Sequence, residues 1–166
     1  PVDNRILKIE KFVSNPQQFV HEDVCDTGAI GTKAIDIATK IGDHLISRSF
    51  NEGCRGWMGL KLVSEKYWRM ESVGLALYSG LPGIGYFLHM LARATGLSRF
   101  SRAARSVATA VVEHWIAIRR DFHPEMFSPL DNGMYGALGG GMYFLSELLA
   151  SEPDPYHHMG IASLIF

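Results

Sequence analysis

The sequence predicts an all-α fold made of repeated pairs of inner and outer helices, with one small β-hairpin between the first and second helices. Three observations lead to this prediction. Hydrophobic residues make up 47% of the chain and charged residues 20%, which is typical of a packed globular core. Apolar residues recur at spacings of three and four along several segments. A glycine-rich stretch also occurs twice, and such helix pairs either close into an α/α toroid or stack into a solenoid.

The first helix is predicted at residues 31–49. Its apolar residues are spaced by three and four and share one face; they are Ala34, Ile37, Ala38, Ile41 and Leu45. Thr32 is a suitable N-cap because its hydroxyl can accept a hydrogen bond from a free backbone N–H. Residues 1–30 have a mixed composition, with a short amphipathic helix at 6–13. They are interpreted as a linker or as the tail of a preceding domain.

Residues 57–70 alternate between apolar and polar side chains, a period that favours β-strands. Leu60 and Leu62 point to one side in this pattern, and the polar run at 64–66 forms the turn. The segment is therefore predicted to be a short β-hairpin. Trp57 and Trp68 are expected to pack on each other or on a helix.

Three further helices are predicted: one at residues 80–95, one of about twenty residues capped by Ser98 or Ser101, and one at 137–150. Pro82 suits the first turn of the second helix, and Gly96 suits its end. The third helix has an apolar face, which comprises Phe100, Ala103, Ala104, Val107, Val111, His114, Trp115 and Ile118. A loop is expected at residues 123–132.

The repeated stretch defines the helix pairs. Residues 77–94, LYSGLPGIGYFLHMLARA, align without a gap with residues 134–151, MYGALGGGMYFLSELLAS, and seven of the eighteen positions are identical. In each copy a glycine-rich turn opens an apolar inner helix, whereas the intervening helix at 98–120 has a charged face and is assigned as outer. Glycine at these turns allows close packing against a neighbour. Because at least about three such repeats are needed to bury a core, the natural chain is expected to continue beyond Phe166.

Charge and composition argue against several classes of function. The 16 Lys and Arg are balanced by 17 Asp and Glu, so the chain lacks the basic field that a nucleic acid or an anionic membrane requires. No apolar run reaches the ~18 residues of a membrane span. Two cysteines, Cys25 and Cys54, are too few for a disulfide-rich scaffold, and reduced thiols indicate a cytoplasmic protein.

Candidate chemical groups are few. Cys25 and Cys54 stand 29 positions apart and His157-His158 follows two prolines, an arrangement that does not match the ligand spacing of a metal site. The glycine-rich turns lack the Lys-Ser/Thr pair of a phosphate-binding loop. His89 and His114 lie on predicted helices and are interpreted as hydrogen-bonded histidines of the core or its rim. No catalytic residue and no metal ligand is therefore assigned.

The stretch ALYSGLPGIGYFLHMLARATG, residues 76–96, resembles the first inner repeat of the lanthionine synthetase C-like family. Upstream, GWMGLKLVSEKYWRM at residues 56–70 is similar to the cyclase region of the class II lanthipeptide synthetases, in which a dehydratase precedes the cyclase. The resemblance covers residues 31–151 and implies an α/α toroid. It assigns residues 31–166 to the N-terminal part of such a cyclase domain. The second copy of the repeat departs from the family pattern, since Ala137 stands where the family has glycine.

The resemblance implies that the parent protein forms thioether rings in a precursor peptide, by adding Cys thiols to dehydrated Ser or Thr residues. In the family a zinc ion binds the thiol, and its two Cys and one His ligands lie in later repeats. This chain has no Cys-His dipeptide and no cysteine after Cys54, so the resemblance assigns no zinc ligand here. The family's catalytic His and Asp also belong to later repeats, and Asp131 is interpreted as a turn or cap residue. This chain alone is expected to lack the catalytic site.

Tyr78 and Tyr135 precede the two glycine-rich turns and are candidate substrate-binding residues at the mouth of the toroid. The alternative is that both are core aromatics. The expected partners are a precursor peptide and a fused N-terminal dehydratase domain. Two other functions stay open: another α/α toroid enzyme such as a glycoside hydrolase, and a non-catalytic module of the same family that binds a peptide or a thiol.

Overall fold

The computed structural model describes residues 27–121 and 137–151. These residues form helices and a two-stranded antiparallel sheet, so the predicted helical class with a small hairpin is confirmed. The elements are α1 (Thr27–Arg48), β1 (Met58–Ser64), β2 (Tyr67–Ser72), α2 (Leu81–Thr95), α3 (Ser98–Asp121) and α4 (Ala137–Ser151). Two compact units divide the chain, residues 1–36 and 37–166, and the core belongs to the second.

Several sequence predictions fall outside the described residues. They are the helix at 6–13, the loop at 123–132, and the roles of Cys25, Asp131, Tyr135 and His157-His158.

The start of α1 differs from the prediction. The helix begins at Thr27, and Thr32 lies inside it, where its Oγ1 donates a hydrogen bond to the carbonyl oxygen of Gly28 at 3.0 Å. The predicted N-cap role of Thr32 is therefore wrong, because a Thr hydroxyl inside a helix can bond to the carbonyl one turn earlier. The apolar pattern missed the first turn because residues 27–31 contain two glycines, which have a low helix propensity.

Helix α3 lies at the centre of the core. Its buried hydrophobic side chains are Phe100, Ala103, Ala104, Val107, Ala108, Ala110, Val111, Val112 and Trp115. Both α2 and α4 pack on this face. The helix that the repeat assigned as outer therefore contributes the largest share of the buried side chains among the described residues. By contrast Met90 of α2 is 39% exposed, so one side of α2 lies outside the core.

The exposure of His114 also differs from the prediction. The sequence placed this residue on the apolar face of α3, but its side chain is exposed. Its Nδ1 lies 2.9 Å from the carbonyl oxygen of Ala110, one turn earlier. The predicted hydrogen bond of His114 is thus confirmed, but the side chain is exposed. The neighbouring Val111 and Trp115 lie in the core instead.

The hairpin has the predicted position and turn. Leu60 lies opposite Met70, and Leu62 lies opposite Trp68. The register shifts between Leu62 and Ser64, which marks a bulge in β1.

The two tryptophans of this region differ. Trp57, just before β1, is buried, and its Nε1 donates to the carbonyl oxygen of Leu45 in α1 at 2.8 Å, so it packs on a helix as predicted. Trp68 in β2 is 63% exposed, and the prediction that it packs on Trp57 or on a helix is wrong. Its neighbours Leu62 and Met70 on the same hairpin face are exposed as well, so this face does not contribute to the core.

Ser106 holds the loop at residues 49–56 against α3. This buried hydroxyl donates to the carbonyl oxygen of Glu52 at 2.6 Å and accepts from the backbone N–H of Arg55 at 3.1 Å. Both hydrogen bonds satisfy backbone groups that would otherwise lose solvent without compensation. The loop held in this way fixes the position of Trp57 in the core.

Candidate functional site

The glycine-rich turn before α2 brings the chain close to its own helix. A Cβ atom at Gly83 would overlap the carbonyl oxygen of Leu77, so only glycine allows this approach. The backbone N–H of Leu81 donates to the carbonyl oxygen of Gly74 at 2.7 Å, and Pro82 lies in the first turn of α2 as predicted. Segment 74–80 is thereby held against the start of the helix, with Tyr78 at its outer side.

A cleft of about 590 Å³, called the α2 cleft below, lies beside this turn. One wall consists of Ile41 and Leu45 of α1, and the other consists of segment 73–80 and the first turns of α2. Its lining is mainly apolar and aromatic, with Tyr78 and Tyr86 as the phenols. The described residues give it no carboxylate, imidazole or thiol. Such a lining suits the binding of apolar or aromatic side chains.

Tyr78 is 88% exposed at the α2 cleft. The interpretation of this tyrosine as a core aromatic is therefore wrong, because the turn directs it outward rather than into the helix packing. An exposed phenol beside an apolar cleft offers both a stacking surface and a hydrogen-bonding group. Tyr135, its equivalent in the second copy of the repeat, lies outside the described residues.

Equivalent residues of the two repeat copies meet between α2 and α4. The rings of Tyr86 and Tyr143 have their centroids 5.4 Å apart at an angle of 51°, and their hydroxyl oxygens are 3.4 Å apart. The hydrogen bond with Tyr86 raises the pKa of Tyr143. The repeat aligned these two positions, but nothing in the sequence showed that the side chains touch.

The absence of a side chain at Gly85 permits this contact. A Cβ atom there would overlap the ring of Phe144, which is fully buried. The expectation that glycine lets the start of an inner helix pack closely against a neighbour is confirmed at this position. Further along both helices, His89 lies near Ser151. Later residues of α2 therefore contact later residues of α4, as in two helices that run in the same direction.

His89 is a buried polar residue of this interface, 2% exposed. Its Nε2 lies 3.4 Å from Oγ of Ser151, and both residues line a second cavity of about 330 Å³ with Arg93, Ser98 and Ser101. The interpretation of His89 as a hydrogen-bonded helix residue is confirmed. His89 of the first copy of the repeat thus contacts Ser151, the last residue of the second copy.

The described part of the chain contains no group of three His, Cys, Asp or Glu side chains that could hold a metal. Cys54 is half-buried, and burial, followed by the charge of Glu113, raises the pKa of its thiol.

Among the described helices, none combines the length and the apolarity that a membrane span requires. Comparison of this chain with protein-family models, with curated proteins and with solved structures found no match.

Proposed function

We propose that residues 31–166 form the N-terminal part of the cyclase domain of a class II lanthionine synthetase, as the first repeats of an α/α toroid. One observation supports this most strongly: Tyr86 and Tyr143, equivalent residues of the two repeat copies, are in contact. In a ring of helix pairs each inner helix lies beside the next at a similar level, so equivalent residues meet. The same-direction contacts of α2 and α4 agree with this arrangement.

The role of these residues in the proposed enzyme is to bind the precursor peptide. Zinc, when bound in the parent protein, supplies an activated peptide thiol, and its ligands would come from outside this chain. The α2 cleft offers an apolar surface for side chains beside the reacting residues, and Tyr78 offers a hydroxyl at its edge. Such contacts orient a flexible substrate, because ordering it before reaction lowers the entropy lost in the transition state.

A binding measurement tests this role. The probe is a fluorescein-labelled synthetic peptide with one dehydroalanine flanked by leucine and phenylalanine, and its anisotropy is followed as the protein is added. We expect Tyr78→Ala to weaken binding about tenfold, the typical loss at an aromatic contact residue. Tyr67→Ala is the matched control, since Tyr67 is also exposed but lies on β2 away from the cleft. Equal weakening by both substitutions, or no binding by the wild type, would refute the peptide-binding role.

The family assignment has its own test. The coding sequence downstream of Phe166 should encode two cysteines and a histidine, with one Cys-His pair among them. A downstream sequence without this ligand set would overturn the cyclase proposal and leave the binding role to be judged by the peptide experiment.

The composition of the cleft also bears on the alternatives. A glycoside hydrolase needs two carboxylates roughly 5–9.5 Å apart across its substrate, and the described lining of the α2 cleft contains none. A non-catalytic module that binds peptides would use the same apolar lining, and this is the second candidate. Ring formation by the full-length protein distinguishes the two, because the module would bind the peptide and leave it linear.

A further inference from the structure

Within the part of the chain that the structure describes, one apolar face of the β-hairpin is exposed. Alternation places five apolar side chains on it, and they are between 49% and 67% exposed: Met58, Leu60, Leu62, Trp68 and Met70. The opposite face carries the charges of Lys61, Arg69 and Glu71. A two-stranded sheet is marginally stable alone and gains stability from additional strands. The hairpin is therefore poised to accept another strand.

The outer edge of β2 is the better place for such a strand. β1 contains Gly59 and a bulge between Leu62 and Ser64, and both features disfavour regular pairing along its edge. β2 runs from Tyr67 to Ser72 without glycine, proline or a bulge. Within the described residues β1 is the strand that pairs with it. A regular exposed edge of this kind is a template for pairing with another chain.

The charges of β2 are complementary to those of a second copy of itself. In an antiparallel pair, opposite residues share a face, so a two-fold axis between identical strands passes through one residue of each. An axis at Arg69 brings two arginines together, and an axis at Glu71 brings two glutamates together. An axis at Met70 places Arg69 of each copy opposite Glu71 of the other. Opposite charges at such positions stabilise a sheet, and like charges destabilise it.

We propose that β2 pairs with β2 of a second copy of this chain, antiparallel and about a two-fold axis at Met70, to form a four-stranded sheet. The pairing places Trp68 opposite Ser72 and joins the two apolar hairpin faces into one. Glu71 already accepts from Lys61 and Arg69 of its own strand pair, each at 2.9 Å, so it is held in place for a third partner. The area that pairing along one strand edge buries is smaller than the ~800 Å² per partner of a standard interface, so the dimer is weak and forms at high concentration.

A symmetric disulfide tests the geometry. Opposite Cα atoms in antiparallel strands are about 4.5–5.5 Å apart, which is within disulfide range. Met70→Cys, in a chain with Cys25→Ser and Cys54→Ser, should therefore form a disulfide-linked dimer under mild oxidation. Leu60→Cys is the control, because it shares the exposed face but lies on β1, one strand further from the two-fold axis. Its two copies would be three strand spacings apart, roughly 14 Å, and should not cross-link.

The charges provide a second, independent measurement by sedimentation equilibrium. Arg69→Glu alone and Glu71→Arg alone should each raise the dimer dissociation constant about tenfold or more, since both symmetric pairs become repulsive. The double exchange Arg69→Glu with Glu71→Arg should restore the wild-type constant to within about threefold. A monomer at all concentrations, a Leu60→Cys cross-link as efficient as that of Met70→Cys, or a double exchange that stays as weak as the single variants would each overturn the proposal.

Discussion

Replacing Gly85 by alanine adds one methyl group between the two copies of the repeat. The new Cβ would lie 2.7 and 2.9 Å from Cε1 and Cε2 of Phe144, and closer still to Cζ. Carbon atoms in ordinary contact are about 3.5–4.0 Å apart. Phe144 is fully buried, so its ring can move only by displacing other core residues.

The size of the effect follows from two opposing contributions. Overpacking of a buried contact costs roughly 1–3 kcal/mol. Alanine in place of glycine inside a helix contributes about 1 kcal/mol in the other direction. We therefore expect the free energy of unfolding to fall by about 1 kcal/mol and by no more than about 2 kcal/mol. For a chain of this size each kcal/mol lowers the melting temperature by roughly 2–4 °C.

Urea denaturation followed by circular dichroism measures this loss. Gly31→Ala is the matched control, because Gly31 also lies in a helix but its added Cβ would meet no atom within 4 Å. The control should be as stable as the wild type or slightly more stable. If Gly85→Ala behaved like Gly31→Ala, the close contact of α2 with α4 would be refuted. In addition, Phe144→Leu should cost less in the Gly85→Ala background than in the wild type, since the smaller side chain relieves the overlap.

Three other predictions concern single contacts. Tyr86→Phe should move the ultraviolet titration of Tyr143 towards the ordinary pKa of ~10, because the hydrogen bond that raises this pKa is lost. Because the pKa of Tyr143 is higher in the folded than in the unfolded protein, this hydrogen bond stabilises the fold below the unfolded pKa, and the stabilisation is lost as the pH rises through the raised value. Identical titrations of the wild type and the variant would contradict the contact. Ser106→Ala should lower the free energy of unfolding by about 1–3 kcal/mol in urea, because two backbone groups of the loop lose their partner. An effect no larger than that of Thr109→Ala, which removes an exposed hydroxyl of the same helix, would show that the loop does not depend on it. Burial is the main cause that raises the pKa of the Cys54 thiol, so at pH 8 this thiol should react with an aromatic disulfide reagent more slowly in the folded protein than in the urea-unfolded one. Mass spectrometry identifies the modified cysteine. Equal rates in the two states would be inconsistent with the burial of Cys54.

The ends of α2 show where local sequence is sufficient. Gly96 adopts a left-handed conformation with φ of 69°, and its N–H donates to the carbonyl oxygen of Ala92 at 2.8 Å. Pro82 occupies the first turn, where its missing N–H leaves no helix hydrogen bond unmade. Both signals act within one turn of the chain, and both ends of the helix were predicted to within one residue. The start of α1 was predicted wrongly because its first turn carries glycines and no apolar period.

The candidate site was predicted in part. The position of Tyr78 before a glycine-rich turn left two interpretations, a substrate-binding residue or a core aromatic, and its exposure excludes the second. Ile41 and Leu45 were predicted to share the apolar face of the first helix, but the sequence did not show that they form the opposite wall of the cleft. That arrangement depends on how α1 packs beside the turn, which no local pattern encodes.

The amino-acid order alone determined the helical class, the hairpin and its turn, the ends of α2 and the two copies of the repeat. These features depend on periodicity and on residues within one or two turns of each other, so short-range physics decides them. The tertiary structure alone decided that Tyr86 touches Tyr143, that His114 leaves the core and that Trp68 is exposed. Such outcomes depend on which side chains of different helices pack together. These contacts join residues far apart in the chain and form only when the whole core is packed.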